Sequence, residues 1–413
     1  MRDVSHLPPS FRGWAVVGAA FTVLFVVYGI QFSYGTFVND IVEDTGWSES
    51  RIQLIIALYI AGYSALSAVS GMLTDRWGPR SVVATGSFIL TAGYLVWAMA
   101  DSLWLVLLGL GVIAPIGMSA SWVPCNATVV RWFIVKRGLA TAVTTAGGSF
   151  ANILVPPFAA VLVENYGWRA ALAALALGGG AIMLASSFVF ARDPESVGEF
   201  PDGIPRTAEE VQAEPGLTMA ETFRTRAYWL LWAMYALSFI VVFVPFLHGS
   251  QFAQSLGLSA VTGSLVISSI GVGGLAGRLL AGPVSDRSDR RRVAVIAFAI
   301  ETLGFLGMAA SQDLWLLYPS AVAFGFAYGS GVTVFPALVA DYFGREHAGT
   351  IVGRIFATAG SLAAIGPYSA QLLVDATGSY RLAFVLSGAA NGLAFVMATL
   401  LPVPGKLLTE QTR

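Results

Sequence analysis

Long apolar runs recur along the chain and alternate with short polar segments. A helix needs about 20 apolar residues to cross the hydrocarbon core of a bilayer, which is about 30 Å thick. Backbone polar groups inside lipid must bond within the protein, and runs of this length are too long for barrel strands, so the pattern predicts transmembrane helices. Twelve such runs lie near residues 13–37, 52–74, 81–100, 103–127, 138–162, 168–190, 228–252, 259–284, 293–311, 314–338, 348–373 and 380–402.

The composition agrees with a membrane protein. The 413 residues are 56% hydrophobic and 11% charged, whereas soluble domains carry about 25% charged residues. The formal net charge of -1 argues against nucleic acid as a partner. The single cysteine, Cys125, excludes an internal disulfide framework.

The distribution of lysine and arginine predicts the orientation of the helices. With the N-terminus inside, nearly all of the 23 basic residues fall in segments predicted to be cytoplasmic. The exceptions are Arg51, Arg169 and Arg381 outside, and Arg278 within a helix. We therefore expect a multi-pass protein of the cell (inner) membrane with cytoplasmic N- and C-termini. The N-terminal segment lacks the features of a removable signal peptide and is expected to be a cytoplasmic tail.

One polar segment divides the chain. Residues 191–227 hold four prolines and many charged side chains, so they cannot span a bilayer and are predicted to form a cytoplasmic linker. The predicted domains are an N-terminal six-helix bundle, 1–190, and a C-terminal six-helix bundle, 228–413.

The two halves share short motifs at an offset near 210 residues. GMLTDRWGPRS at 71–81 is echoed by GPVSDRSDRRR at 282–292, and RWF at 131–133 is echoed by DYF at 341–343. TTAGGS, which begins at Thr144, has its counterpart in ATAGS, which begins at Ala357. Three echoes at one offset indicate a duplicated six-helix unit.

These motifs resemble those of the major facilitator superfamily. The resemblance implies an all-α membrane fold of two pseudo-symmetric six-helix bundles around a central cavity, which is exposed alternately to the two sides. In that family the residue matching Asp75 faces the positive N-terminal end of the eleventh helix and helps hold the inside gate shut. The alternative is that the motif only fixes loop shape. The matching residues are Gly71, Asp75, Arg76, Gly78 and Arg80, with Gly282, Asp286 and Arg287 in the weaker second copy.

A narrower resemblance concerns the entry to the fifth helix. WFIVKRGLATAVTTAGGS, residues 132–149, is similar to the signature of monocarboxylate porters and also resembles the oxalate:formate antiporter branch. The eighth-helix arginine, Arg278, followed by GPVSDR, fits the same group.

Arg278 is the strongest candidate for chemistry. It precedes Asp286 by eight residues, or about 12 Å of helix, which places it near the middle of the membrane. An arginine at that depth costs about 2.5–3.5 kcal/mol on insertion scales, so it is expected to face a cavity or a partner. Its planar guanidinium matches the two oxygens of a carboxylate. The partner is therefore a substrate carboxylate or, as the alternative, Glu301 in the ninth helix.

Three further positions bear on the charge of the substrate and on proton coupling. Oxalate-type relatives have an eleventh-helix lysine where alignment places Ala359, and the absence of this second cation favours a monoanion. Animal-type monocarboxylate porters have an aspartate where Gly274 stands, so the usual route for the proton is missing. Histidine is the residue type that suits a switch near neutral pH, so His248, in the seventh helix, is the candidate for proton coupling or, as the alternative, for completing an outer gate.

Other candidates would line the cavity. Gln31 and Tyr34 are three residues apart and share one face of the first helix. A small organic acid needs its carbons packed and its carboxylate held, which a few polar groups among aromatic side chains provide. Alignment with the carboxylate porters adds Tyr59, Trp122, Tyr328 and Phe356, with Ser361 as a hydrogen-bond donor.

The sequence thus predicts a secondary active transporter of a small monocarboxylate, similar to lactate or pyruvate, that is coupled to protons and works by alternating access. A carboxylate antiporter and an exporter of another organic anion remain open alternatives. No enzyme, metal site or cofactor is expected, because the pattern GVGGLA at 271–276 lies within a membrane helix and lacks the strand and turn of a dinucleotide site. The expected partners are the carboxylate, the proton and the lipid bilayer.

Overall fold

A computed structural model describes residues 11–205, 216–258 and 260–403. The regular elements among these residues are all helices, and no strand occurs among them. The α-helices are Gly13–Phe32, Tyr34–Thr45, Glu49–Trp77, Pro79–Ala98, Leu103–Val106, Ala114–Ser119, Trp122–Trp132, Arg137–Ser187, Met219–Thr222, Arg226–Ser255, Ala260–Arg287, Arg290–Ala310, Leu314–Phe343, Ala348–Gly360, Ile365–Thr377 and Tyr380–Thr399.

Twelve helical segments are long and apolar enough to cross a membrane, which confirms the twelve helices predicted from the hydrophobic pattern. Some ends differ from the prediction by several residues: span 1 ends at Phe32 rather than near residue 37, because the helix breaks at Ser33, and span 2 continues to Trp77. Numbered in chain order as spans 1 to 12, they are Gly13–Phe32, Leu54–Trp77, Pro79–Ala98, Leu103–Trp132, Arg137–Pro156, Val161–Ser187, Arg226–Gly249, Leu265–Arg287, Arg290–Ala310, Leu314–Phe343, Ala348–Thr377 and Tyr380–Thr399.

The described residues form two compact units. The first holds those up to Leu217 together with Phe343–Ala357, so the first part of span 11 packs with spans 1 to 6. The second holds Thr218–Tyr342 and the described residues from Thr358 onward. The predicted linker, 191–227, includes residues 206–215, which lie outside the described residues.

In the first unit, spans 5 and 6 are one long helix, Arg137–Ser187, interrupted at Gly167. This glycine has φ 76° and ψ 160°, a conformation that side chains with a Cβ rarely adopt. The linker is attached to the same unit by Asp202. Its carboxylate accepts backbone N–H groups of Ile134 and Val135, both at 2.8 Å, and of Lys136 at 3.2 Å.

The second unit packs around aromatic side chains. Phe305 of span 9 and Phe324 of span 10 are both fully buried, with ring centroids 4.9 Å apart. Phe384 of span 12 is also buried and contacts Phe252 of the helix that contains span 7. All four rings belong to one buried apolar cluster of the second unit.

Two spans are irregular near their middle. Span 4 contains a π-helical segment, Leu107–Ile113, and a break at Ala120 and Ser121 immediately before Trp122. Span 11 tightens into a 3-10 turn at Ser361–Ala364. Discontinuous membrane helices in transporters commonly border ligand sites, because they present unusual backbone geometry to a cavity.

Candidate functional site

Arg278 lies in span 8 beside the aromatic ring of Tyr328 from span 10. The guanidinium carbon is 5.5 Å from the ring centroid, within the range of a cation–π contact. The two spans approach closely because Gly277 has no side chain: a Cβ there would lie 2.0 Å from the carbonyl oxygen of Phe326. The glycine-rich run thus lets the backbone of span 8 contact span 10, two residues from Tyr328.

An aromatic wall holds the Tyr328 ring in place. Phe324 stacks on it at a centroid distance of 6.5 Å and an angle of 6°, and Phe246 of span 7 meets it edge-on at 5.6 Å. Gly274 lies beside the guanidinium, since a Cβ built on it would be in van der Waals contact with Nη1 of Arg278, at 3.9 Å. A partly exposed cation therefore stands against rigid aromatic rings, an arrangement suited to a small organic anion.

Glu301, the alternative partner of Arg278, has a different contact. This carboxyl in span 9 is 3% exposed. It accepts the hydroxyl of Ser238 from span 7, with Oγ 3.3 and 3.5 Å from the two carboxyl oxygens. Asn391 of span 12 lies near the same carboxyl. Among the described residues, Glu301 takes part in no ion pair with a basic side chain.

A small cavity joins Glu301 to Tyr328. Its lining includes both side chains together with Tyr235 and Ser238, and the remaining lining residues are mainly apolar. Tyr328 therefore has two neighbours of opposite charge type. Its ring contacts the guanidinium of Arg278, and its side chain borders the cavity that holds the Glu301 carboxyl.

In the first unit the structure brings together Trp122 and Phe356, two of the predicted cavity residues. Their rings stack at 4.9 Å with an interplanar angle of 23°. Trp122 begins its helix directly after the break in span 4, and Phe356 lies in span 11. The break in span 4 therefore comes directly before Trp122, the first ring of this aromatic pair.

Tyr34 and Tyr59 form a separate aromatic cluster. Both are buried, their ring centroids are 5.6 Å apart, and their hydroxyls meet that of Tyr94 at 2.8 and 3.2 Å. Tyr94, in span 3, was missed at the sequence level because nothing distinguishes it there from other tyrosines in apolar runs. Nearby in sequence, the buried Oε1 of Gln31 receives no hydrogen bond from the described residues.

His248 and Ser361 lie in the second unit. The Nε2–H of His248 donates to the carbonyl of Pro367 at 3.0 Å, which fixes the ring and its tautomer, and the buried Nδ1 has no hydrogen-bond partner among the described residues. Ser361 begins the 3-10 turn of span 11. The roles predicted for the two residues stay predictions.

The first motif copy places Asp75 at the start of span 11. Asp75 Oδ2 accepts the backbone N–H of Thr350 at 2.7 Å and its hydroxyl at 2.5 Å, while Oδ1 pairs with Arg131 at 2.5 Å. Arg131 also donates to the carbonyls of Arg345 and Glu346, at 3.3 and 2.5 Å. The first turn of this helix thus binds a carboxylate, as free N–H groups at a helix start favour.

Close backbone contact accompanies this cluster. A Cβ on Gly71 would lie 2.2 Å from the carbonyl oxygen of Gly349, so the two backbones are too close for any side chain at Gly71. Gly78 ends span 2 with φ 82°. Arg80 places its guanidinium over the ring of Phe188 at 4.8 Å, and Arg76 is exposed.

The second motif copy forms different ion pairs from the first. Asp286 pairs with Arg290 at 2.7 Å, and Arg290 also pairs with Asp341 at 2.8 Å, while Arg287 is exposed. Asp341 occupies the position that corresponds to Arg131 in the first copy. The sequence shows both segments as repeats but does not reveal these pairings, because ion pairing depends on tertiary contacts.

Comparisons with known proteins identify a family and its members that this chain is similar to. A family model described as Major Facilitator Superfamily matches residues 20–279 and again residues 242–412. Monocarboxylate transporter 11 of Mus musculus is 30% identical over 396 residues, which cover 92% of this chain and 85% of that protein. Monocarboxylate transporter 11 of Homo sapiens is 29% identical over 406 residues, which cover 92% of this chain and 81% of that protein.

A solved structure shows the same architecture. The proton:xylose symporter XylE, bound to 6-bromo-6-deoxy-D-glucose, superposes with a TM-score of 0.75, covering 95% of this chain and 96% of that one. At 15% identity this likeness concerns the fold alone.

Proposed function

This chain belongs to the Major Facilitator Superfamily, and from that premise we propose that it transports a small monocarboxylate such as lactate or pyruvate, together with a proton, by alternating access. Its membership makes it a multi-pass membrane transporter related to monocarboxylate transporters. The substrate, the coupled proton, the inner-membrane location and the cytoplasmic termini belong to the proposal.

The observation that carries the proposal is the pairing of Arg278 with Tyr328. A permanently charged guanidinium deep in a span is costly, and its fork binds a carboxylate with two parallel hydrogen bonds. The ring of Tyr328 holds the guanidinium from one side, and its aromatic neighbours supply an apolar surface for the carbon atoms of the acid. The site therefore combines one charge with packing, as a monocarboxylate requires.

The positive charge available at the site supports a monoanion as the substrate. Span 11 carries the buried Ala359 at the position where oxalate-type relatives carry a lysine. A dicarboxylate bound at Arg278 would leave its second charge in a low-dielectric region without a matching cation from that position. We infer that monocarboxylates bind and that oxalate binds far more weakly.

The cluster around Asp75 supports alternating access. It holds the start of span 11 against spans 2 and 4 by an ion pair and several hydrogen bonds. Most of these contacts are side-chain contacts, so they can break and re-form without unfolding any helix. We propose that this cluster closes the cytoplasmic gate and that it separates when the transporter opens inward.

Flux through proteoliposomes tests this function. Protein reconstituted with an internal pH dye is given external lactate, pyruvate or oxalate. Symport predicts that lactate and pyruvate enter and acidify the lumen without any internal substrate, whereas oxalate does neither. Uptake that needs an internal carboxylate and causes no acidification would instead support the antiporter, and no flux of any monocarboxylate would contradict the proposal.

A further inference from the structure

Glu301 is a buried acid that the transport site itself does not explain. It lies eleven residues after the start of span 9, Arg290–Ala310, and nine before its end, so about 13 Å or more of helix separates it from either end. Among the described spans it is the carboxyl nearest the middle of a membrane helix. An intramembrane acid usually marks a proton or ion pathway, because its charged form is costly there.

The surroundings of Glu301 accommodate both of its protonation states. The hydroxyl of Ser238 donates to its carboxyl oxygens, which stabilises the ionised form. Asn391 neighbours the same carboxyl. The amide nitrogen of Asn391 donates to Phe298 and Thr302, while its buried Oδ1 receives no hydrogen bond from the described residues. That amide oxygen can accept a hydrogen bond from the O–H of a protonated Glu301.

The groups that face Glu301 are otherwise neutral. Ser238 and Tyr235 come from span 7, Tyr328 from span 10 and Asn391 from span 12. Arg278 of span 8 contacts the ring of Tyr328, and Tyr328 also borders the cavity that holds Glu301. The guanidinium and the carboxyl thus share Tyr328 as a neighbour in a largely apolar region, where screening by water is weak.

We propose that Glu301 is the proton-binding site of this transporter and that Tyr328 lies between the bound proton and the carboxylate at Arg278. The proposal rests on the proposed carboxylate site. Without bound substrate, the positive charge of Arg278 favours ionised Glu301. A bound carboxylate cancels that charge, so the proton and the anion bind more tightly together than apart, and by linkage each increases the affinity of the other to the same extent.

Proton uptake on substrate binding tests the proposal. Purified full-length protein in weakly buffered detergent solution, with a pH dye, is titrated with lactate and pyruvate while binding is followed by calorimetry. We expect the wild type to take up close to one proton per bound acid, and its Kd to rise by about tenfold per pH unit once Glu301 ionises. The Glu301→Gln variant is expected to bind the acid with no proton uptake and a pH-independent Kd.

Matched variants separate this role from others. Glu164→Gln, which removes an exposed carboxyl from span 6, is expected to take up protons as the wild type does. Unchanged proton uptake in Glu301→Gln would overturn the proposal, and so would loss of uptake in His248→Gln while Glu301→Gln keeps it. Should Glu301→Gln fail to fold, Glu301→Asp keeps an acid and is expected to retain proton uptake with an altered pH dependence; unaltered pH dependence overturns the proposal.

An infrared measurement is independent of the substrate. Ligand-free wild type is compared between acidic and alkaline pH, and we expect a carbonyl band of a buried carboxylic acid that Glu301→Gln lacks. The band supports proton binding at Glu301 even if no monocarboxylate binds, a result that would overturn the proposed function alone. A band that persists in Glu301→Gln overturns the assignment to Glu301.

Discussion

Asp75 accepts the backbone N–H of Thr350 at 2.7 Å, in the first turn of the helix Ala348–Gly360. The same carboxylate pairs with Arg131. One side chain therefore holds a helix start and a buried arginine together. Breaking a buried ion pair by removing one partner costs about 3–5 kcal/mol, so this contact is able to decide whether a gate stays closed.

Substitution of Asp75 by asparagine is expected to open the proposed gate. Asparagine keeps the size of the side chain but not the charge that pairs with Arg131. The single cysteine, Cys125, is buried, so a Cys125→Ala background can carry a reporter. Ser67→Cys suits this purpose, because the Ser67 hydroxyl contacts the backbone carbonyl of Gly353 beside the cluster.

The measurement is the rate at which a membrane-permeant maleimide labels Ser67→Cys. We expect the rate to rise by roughly tenfold or more with Asp75→Asn, in line with the loss of a buried pair. Asp101→Asn, which changes an exposed acid distant in sequence, should leave the rate unchanged. Equal labelling in all three proteins would show that Asp75 only shapes the loop.

The stack of Trp122 on Phe356 is expected to stabilise the first unit. Aromatic pairs at such distances contribute about 0.5–1.5 kcal/mol beyond their buried area. Phe356→Leu should therefore lower the free energy of unfolding by about 1 kcal/mol or more, and the thermal midpoint with it, because the ring stack is lost. Trp315→Leu, at a highly exposed ring, serves as the control, and an unchanged midpoint in Phe356→Leu would contradict a stabilising role of the stack.

Gly277 allows the helix contact that positions Arg278. A methyl group there would meet the carbonyl oxygen of Phe326 at 2.0 Å, whereas one at Gly271 would meet nothing within 4 Å. Gly277→Ala should destabilise the protein by about 1–3 kcal/mol and lower its thermal midpoint, while Gly271→Ala should not. Equal midpoints for the two variants would contradict the close contact between spans 8 and 10.

The hydrophobic pattern alone was sufficient to predict the helical architecture. Span length follows from the thickness of the bilayer, so twelve apolar runs give twelve helices, and this prediction and the family resemblance are confirmed. The pattern did not predict the π-helical segment at Leu107–Ile113 or the turn at Ser361–Ala364, because local irregularity depends on packing against other helices.

The site was only partly predictable. Arg278 stands out in the sequence, since a charge in an apolar run has a known cost. Its contact with Tyr328 required the structure, as did the ion pair of Asp75 with Arg131 and the hydroxyl contact of Tyr94. A basic residue near the end of a span, such as Arg131, fits the charge bias of the chain as a whole, so its buried pairing has no signature in one sequence.

The central claim is that Arg278 binds the substrate carboxylate, and calorimetric titration of lactate into purified variants tests it most directly. Arg292→Ala, at an exposed arginine, provides the control. Removing one partner of a desolvated charge pair costs about 2–5 kcal/mol, or ~30-fold or more in Kd. We predict such a loss of affinity for folded Arg278→Ala, a smaller loss for Arg278→Lys and no loss for Arg292→Ala. Lactate binding to Arg278→Ala with the wild-type Kd would contradict the claim.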